Sequence, residues 1–311
     1  MSIVISYSLF DQFEKKYNRT GHDPYDRKPY RYWLNIPFVV VLNNLIFPES
    51  ITRIYSPKII EQNRYYPLLK ALESEIESFE LVKIDKSYIK TEPSIWRAKA
   101  IWDKKFKYCF CRDLDSVMIK KEAQAMIYFI KSGLMIHNIR SIVQHNGEGT
   151  SIMAGLSGYN IPKLYKDLPL PESYERYIEF YHLTTKQGVW GCDQEALISF
   201  FLRHRTSRIT KQVLDTYIRQ RLNIRKFGRV SANKFYEMTS IPENVYDKIT
   251  FTQQGNEGLK ISTAATNWAG EPVNTSGSSL KKLLATIKTE TSKKVQKIIN
   301  SDQQLKTFYK I

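Results

Sequence analysis

Residues 108–116 read Tyr108-Cys109-Phe110-Cys111-Arg112-Asp113-Leu114-Asp115-Ser116, an apolar run that opens into two carboxylates one residue apart. The run predicts a short buried strand, which puts Asp113 and Asp115 at the carboxyl edge of a sheet. Ligands of open α/β sheets bind at that edge. Paired carboxylates there commonly hold a divalent cation against the phosphates of a nucleotide. The chemistry suggested is that of an enzyme acting on a nucleotide-activated substrate. Such a pair also binds lysine or caps a following helix, and the spacing by itself leaves both readings open.

Strands and helices must alternate to place such a pair. Ile3 to Tyr7, Ile51 to Tyr55, Phe79 to Ile84, Tyr108 to Arg112, Leu134 to Ile139 and Ser151 to Met153 read as strands. Tyr30 to Phe47 reads as mostly helical, with Pro37 at a start or a kink. Arg64 to Ser78 places Leu68, Leu69, Leu72 and Ile76 on one helical face. Pro93 suits the first position of a helix through Trp102. Ser116 is a candidate N-cap for a helix that runs to Ser132 and stops at Gly133. Asp193 opens a helix that buries Ala196, Leu197, Phe200 and Phe201. Alternation of this kind predicts an α/β fold with a mostly parallel central sheet flanked by helices.

The composition changes near Arg203. From Arg203 to Arg229 there are nine basic residues and one acid, Asp215, with an apolar stripe at Val213, Leu214, Tyr217, Ile218 and Leu222. That stripe predicts a basic amphipathic helix. Thr250 to Ser279 is polar and reads as a long loop, and Leu280 to Ile299 as a lysine-rich amphipathic helix. The expected organisation is therefore a catalytic domain over 1–205 and a basic, mainly helical C-terminal extension over 206–311.

The whole chain of 311 residues carries 47 Lys and Arg against 31 Asp and Glu, a formal charge of +16. That field attracts phosphates, nucleic acid or an anionic membrane without choosing among them. The three cysteines, Cys109, Cys111 and Cys192, form no C-x-x-C pair, which argues against a disulfide framework or a thiolate zinc site and fits a reducing, cytoplasmic setting. No stretch reaches the roughly 18 apolar residues of a membrane span. The start, Met1-Ser2-Ile3-Val4-Ile5, lacks a basic n-region and reads as a first strand.

Taken in order, several motifs resemble the GT-A fold glycosyltransferases. Arg112-Asp113-Leu114-Asp115-Ser116 is similar to their Asp-x-Asp motif, and Ser94-Ile95-Trp96-Arg97 to a Trp-Arg pair upstream of it. Ser151 to Gly158 is similar to a small-residue stretch on the acceptor side, and Trp190-Gly191-Cys192-Asp193-Gln194 to an Asp-Gln motif at a helix start. The resemblance covers about Ile3 to Leu202 and implies a GT-A (Rossmann-like) domain that transfers a sugar from a nucleotide-sugar, UDP-sugar foremost, to a glycan or other acceptor.

It also implies roles. Asp113 and Asp115 would hold Mn²⁺ or Mg²⁺, with Asp113 also near the ribose. Ser6, Tyr7 and Ser8, in the loop after the first strand, would seat the base, with Tyr7 available to stack. Arg97 and Arg112 would contact the donor, and Gly155 and Gly158 would admit the sugar. Asp193, with Gln194, would face the anomeric carbon, as general base if configuration inverts. Ordinary readings stand beside these: Asp193 as an N-cap, Arg97 as a surface residue, Trp96 and Trp102 as core, His137 as a satisfied strand residue. His145 is a candidate phosphate or metal contact, and no third protein ligand for the metal can be named. A peripheral contact of the basic segments with an anionic membrane is a further expectation. The rival functions are a basic nucleic-acid-binding protein and a nucleotidyltransferase using the same carboxylates.

Overall fold

The structure, a computed structural model, describes residues 2–10, 32–33, 36–63, 65–84, 93–114, 118, 120–140, 154–184, 193–194, 196–197, 213–218, 222–224, 252–253, 273–274, 297, 300–301 and 303. The expectations for Asp115, Ser116, His145, Ser151 to Met153, Trp190 to Cys192 and most of the segment after 224 lie outside these residues.

In chain order the elements are β1 (Ile3–Ser8), α1 (Ile36–Ile46), β2 (Ser50–Pro57), a 3-10 helix (Lys58–Gln62), α2 (Tyr66–Glu75), β3 (Phe79–Ile84), a second 3-10 helix (Pro93–Trp102), β4 (Tyr108–Arg112), α3 (Lys120–Ser132), β5 (Ile136–Arg140), β6 (Leu156–Asn160), α4 (Ile161–Asp167), α5 (Tyr174–Thr184), β7 (Val213–Ile218), β8 (Leu222–Ile224), β9 (Thr252–Gln253) and β10 (Val273–Asn274). They fall into two compact units. One holds Met1–Ser8, Lys86–Asp113 and Lys120–Ser240, and the other Leu9–Asp85, Leu114–Ile119 and Ile241–Ile311.

The first unit is α/β. Its six strands lie in the order β1-β4-β6-β5-β7-β8. β1 and β4 are parallel, as are β5 and β7, while β6 runs against β4 and β5, and β8 against β7. Most strands thus share one direction in a mixed sheet, compatible with a Rossmann-like fold. All five residues of β4 are buried, so both of its faces are covered. Alternation along the strand assigns the faces. Tyr108 and Phe110 meet Phe129 of α3, with ring centroids 5.9 and 6.0 Å away. Cys111 turns the other way and its thiol contacts the carbonyl of Arg97 in the second 3-10 helix. Cys109 and Cys111 are buried and unbridged, small core residues as expected.

One segment meets expectation in a tighter form and another departs from it. Pro93–Trp102 is helical as expected, and the helix is of the 3-10 kind. Hydroxyls of β1 compete for its backbone groups: Ser6 Oγ donates to Arg97 O at 2.7 Å, and Arg97 N–H donates to Ser8 Oγ at 2.9 Å. The basic helix expected around 213–222 is replaced by strands β7 and β8, with β7 paired in parallel to β5 from Val213 to Tyr217. The sheet therefore continues past residue 205.

The second unit contains the parallel pair β2 and β3 with α1 and α2. Leu68, Leu69 and Leu72 of α2 are buried, as their helical spacing predicts. Arg53 and Glu80 pair across the two strands at 2.6 Å. β9 and β10, inside the stretch expected to be loop, form a short antiparallel ladder. Lys297, Asn300, Ser301 and Gln303 are helical and exposed. Among the described residues no helix is long and apolar enough to cross a membrane.

Candidate functional site

The first unit gathers three charged side chains at the carboxyl end of β4. Arg97 lies in the 3-10 helix with its side chain 7% exposed. Its Nη1 pairs with Oδ1 of Asp113, the residue just past β4, and also donates to the carbonyl of Arg112 at 3.0 Å. Its Nη2 donates to Oδ2 of Asp193 at 2.7 Å. Asp193 is half-buried, and its Oδ1 accepts from the backbone N–H of Gln194 at 3.0 Å. The two acids and the guanidinium leave one net negative charge.

Burial works against the charge on Arg97. The fields of Asp113 and Asp193 outweigh it, so the guanidinium is held charged more firmly than an ordinary arginine. A planar fork can meet two carboxylates at once, which a single ammonium does less well. The backbone of Arg97 is itself fixed by Ser6 and Ser8, two residues apart and therefore on one face of β1. Ser8 Oγ also reaches Ser94 O at 3.4 Å.

Asp113 differs from its partners in exposure, with half of its side chain (50%) open to solvent. Gly155, in the turn before β6, packs directly against it. A Cβ built on Gly155 would lie 2.0 Å from Asp113 Oδ2. Only a glycine leaves room for that carboxylate, and this close approach joins the small-residue stretch to the acid pair.

Other expected site residues lie elsewhere. Ser6 and Tyr7 are strand residues of β1, 0% and 1% exposed. Tyr7 is enclosed and presents no ring to a base, and Ser6 serves to anchor Arg97. Arg112 is also enclosed and forms an ion pair with the equally buried Glu122 of α3, so its charge is spent inside the unit. Gly158 sits in β6 opposite Phe110, whose ring would be 2.6 Å from an added Cβ, so it fits core packing and no sugar. Trp96 is core, 2% exposed, and Trp102 Nε1 donates to Pro171 O at 3.0 Å.

His137 lies in β5 as expected, but it is not satisfied. Both ring nitrogens lack a hydrogen-bond partner among the described residues. Its ring stacks on Phe129 at 5.2 Å. Burial lowers its pKa to about 3 and keeps the imidazole neutral.

Sequence reasoning missed that Ser8, expected at a base seat, anchors the backbone of Arg97, and it missed Glu122 altogether. The Ser-x-Ser spacing in β1 was a usable signal, because it places two hydroxyls on one strand face. Nothing local announces Glu122 as the partner of Arg112. Among the described residues no group of three His, Cys, Asp or Glu assembles a metal site. No family model, curated protein or solved structure matches the chain.

Proposed function

We propose that the chain is a glycosyltransferase of the GT-A kind, transferring a sugar from a nucleotide-sugar, a UDP-sugar in the first instance, to a glycan or other acceptor in a reducing, cytoplasmic setting. One observation carries this reading: the Arg97 guanidinium joins Asp113 to Asp193. Arg97, Asp113 and Asp193, one residue from each of the three stretches that carry the resemblance, thereby meet at one sheet edge. Gly155, from the small-residue stretch, touches the same carboxylate.

One residue of the expected donor set, Asp113, has the chemistry that suits a hard divalent cation. Asp113 offers a half-exposed carboxylate in a cluster of net negative charge, and carboxylate oxygen suits Mg²⁺ or Mn²⁺. Asp113, with Asp115 two residues on in sequence, would hold the ion. When bound, it would neutralise charge building up on the departing nucleotide. The chain's own residues do the positioning. Arg97 holds Asp113 Oδ1 and Asp193 Oδ2 at fixed places, and Gly155, lacking a Cβ, lets Asp113 Oδ2 pack against its backbone. Asp193 already accepts on both oxygens, so it serves as a fixed charge beside the reacting sugar more readily than as a free base.

The test is a melting-temperature panel of nucleotide-sugars with and without Mn²⁺, followed by detection of released nucleotide. Stabilisation by one nucleotide class, lost on chelation and lost in Asp113→Asn with the fold retained, is the expected result. Metal-independent turnover, or an Asp113→Asn variant with full activity, would refute the reading.

A further inference from the structure

We infer that the amino edge of the six-strand sheet, opposite the Arg97 cluster, is a docking surface for an anionic lipid membrane. The inference uses no residue of the sugar-transfer site and stands apart from that reading. β4 begins at Tyr108 and ends at Arg112, with Asp113 beyond, so the sheet has an acidic end and another end marked by Tyr108. Lysines collect at the Tyr108 end. Lys104, Lys105 and Lys107 occupy the turn before β4, Lys131 the last turn of α3, and Lys163 and Lys166 belong to α4.

Short-range bonds bring these segments together. Ile161 N–H, at the start of α4, donates to Lys107 O at 3.0 Å, and Tyr108 Oη donates to Ile130 O at 3.0 Å. Lys104 Nζ lies 4.5 Å from the centre of the Tyr165 ring, which ties the turn to α4 again. Five of the six lysines are exposed, and only Lys163 is half-buried. Asp103 and Asp167 offset part of the charge, through pairs with Lys105 at 3.9 Å and Lys163 at 3.5 Å.

The chemistry of the patch favours lipid headgroups over nucleic acid. Its cations are all lysines, point charges on flexible stems, and each basic side chain near an anionic leaflet is attracted to it whatever the lateral order of the headgroups. The planar arginine fork that reads a fixed phosphate geometry does not occur among them. Of the aromatic rings beneath Lys104, Lys105 and Lys107, Phe106 and Tyr108 are 4% and 2% exposed and Tyr165 is half-buried. One partly open ring is less than the run of stacking platforms that single strands use. Docked through this edge, the sheet would turn its carboxyl end, with Arg97, Asp113 and Asp193, away from the lipid and toward solvent.

The experiment uses the full chain and co-sedimentation with vesicles of phosphatidylcholine alone or mixed with phosphatidylserine, at low and high salt. Binding to the serine-containing vesicles at low salt, released by high salt, is expected. The variant Lys104→Glu/Lys107→Glu/Lys166→Glu should weaken that binding by more than about tenfold, on a scale of one substantial increment per lysine near the surface. Lys104→Gln/Lys107→Gln/Lys166→Gln should give a smaller loss in the same direction and covers the case in which charge reversal impairs folding. Three results would overturn the inference. The wild-type chain could ignore serine-containing vesicles, or both variants could bind them as it does. The third is that the wild-type chain prefers a single-stranded oligonucleotide to vesicles, with that binding lost in the variants, which would mark a nucleic-acid surface.

Discussion

Arg97 Nη2 and Asp193 Oδ2 lie 2.7 Å apart although 96 residues separate them in sequence. The same guanidinium holds Asp113 through its other terminal nitrogen. One buried cation thus fixes two acids delivered by different elements, and the geometry of the candidate site depends on it.

Removing that cation should be costly. Arg97→Met leaves Asp193, with a side chain 13% exposed, beside no guanidinium, and a loss of roughly 3 kcal/mol is expected, the low end for breaking a buried pair. Asp113 is half solvated and adds little to it. Arg97→Lys keeps a charge but loses the fork, so an intermediate loss is expected. Urea denaturation of the three proteins measures both. A wild-type midpoint in Arg97→Met would mean the bridge contributes nothing in solution.

Gly155→Ala should couple to Asp113. The new methyl would sit 2.0 Å from Asp113 Oδ2, so the carboxylate must move. A destabilisation of about 1–3 kcal/mol is expected for such overpacking, with weaker metal-dependent nucleotide binding. Asp113→Ala removes the obstacle, so the double variant should be more stable than the two single losses add up to. Strict additivity would show that the two residues do not touch.

Acid should act through His137. Its pKa in the folded chain is lowered to about 3 by burial, against about 6.5 when unfolded. Between those values the unfolded chain binds the extra proton, so this residue's contribution is intact above pH 6.5 and declines as pH falls toward 3. The expected loss is about 2 kcal/mol between pH 6.5 and pH 5. His137→Phe, able to stack on Phe129 as the imidazole does, should flatten that part of the profile. Denaturation midpoints across this range, compared between the two proteins, decide it. Parallel profiles would remove His137 as the cause.

Much of the frame was legible from local pattern. Tyr108–Arg112 has too many apolar residues for anything but a buried strand, and the structure buries all five. Leu68, Leu69 and Leu72 mark the buried face of α2 by spacing alone. Gly133, with φ 64°, closes the run after α3 where a left-handed residue is needed. Val213 to Ile218 was misread because its apolar residues also satisfy a helical stripe. The β-branched and aromatic content of Val213, Thr216, Tyr217 and Ile218 pointed the other way.

The sequence by itself determined where the acids fall and which runs must be buried. Only the tertiary structure decided which charges meet. Arg97 and Arg112 are both arginines beside the same strand end, yet Arg97 bridges Asp113 and Asp193 while Arg112 is closed off with Glu122. Likewise β7 became a strand because β5 offered it a parallel partner. Local spacing records the covalent neighbours of a residue. A buried charge is placed by whichever opposite charge the fold carries to it, and a strand by whichever edge is left to pair with.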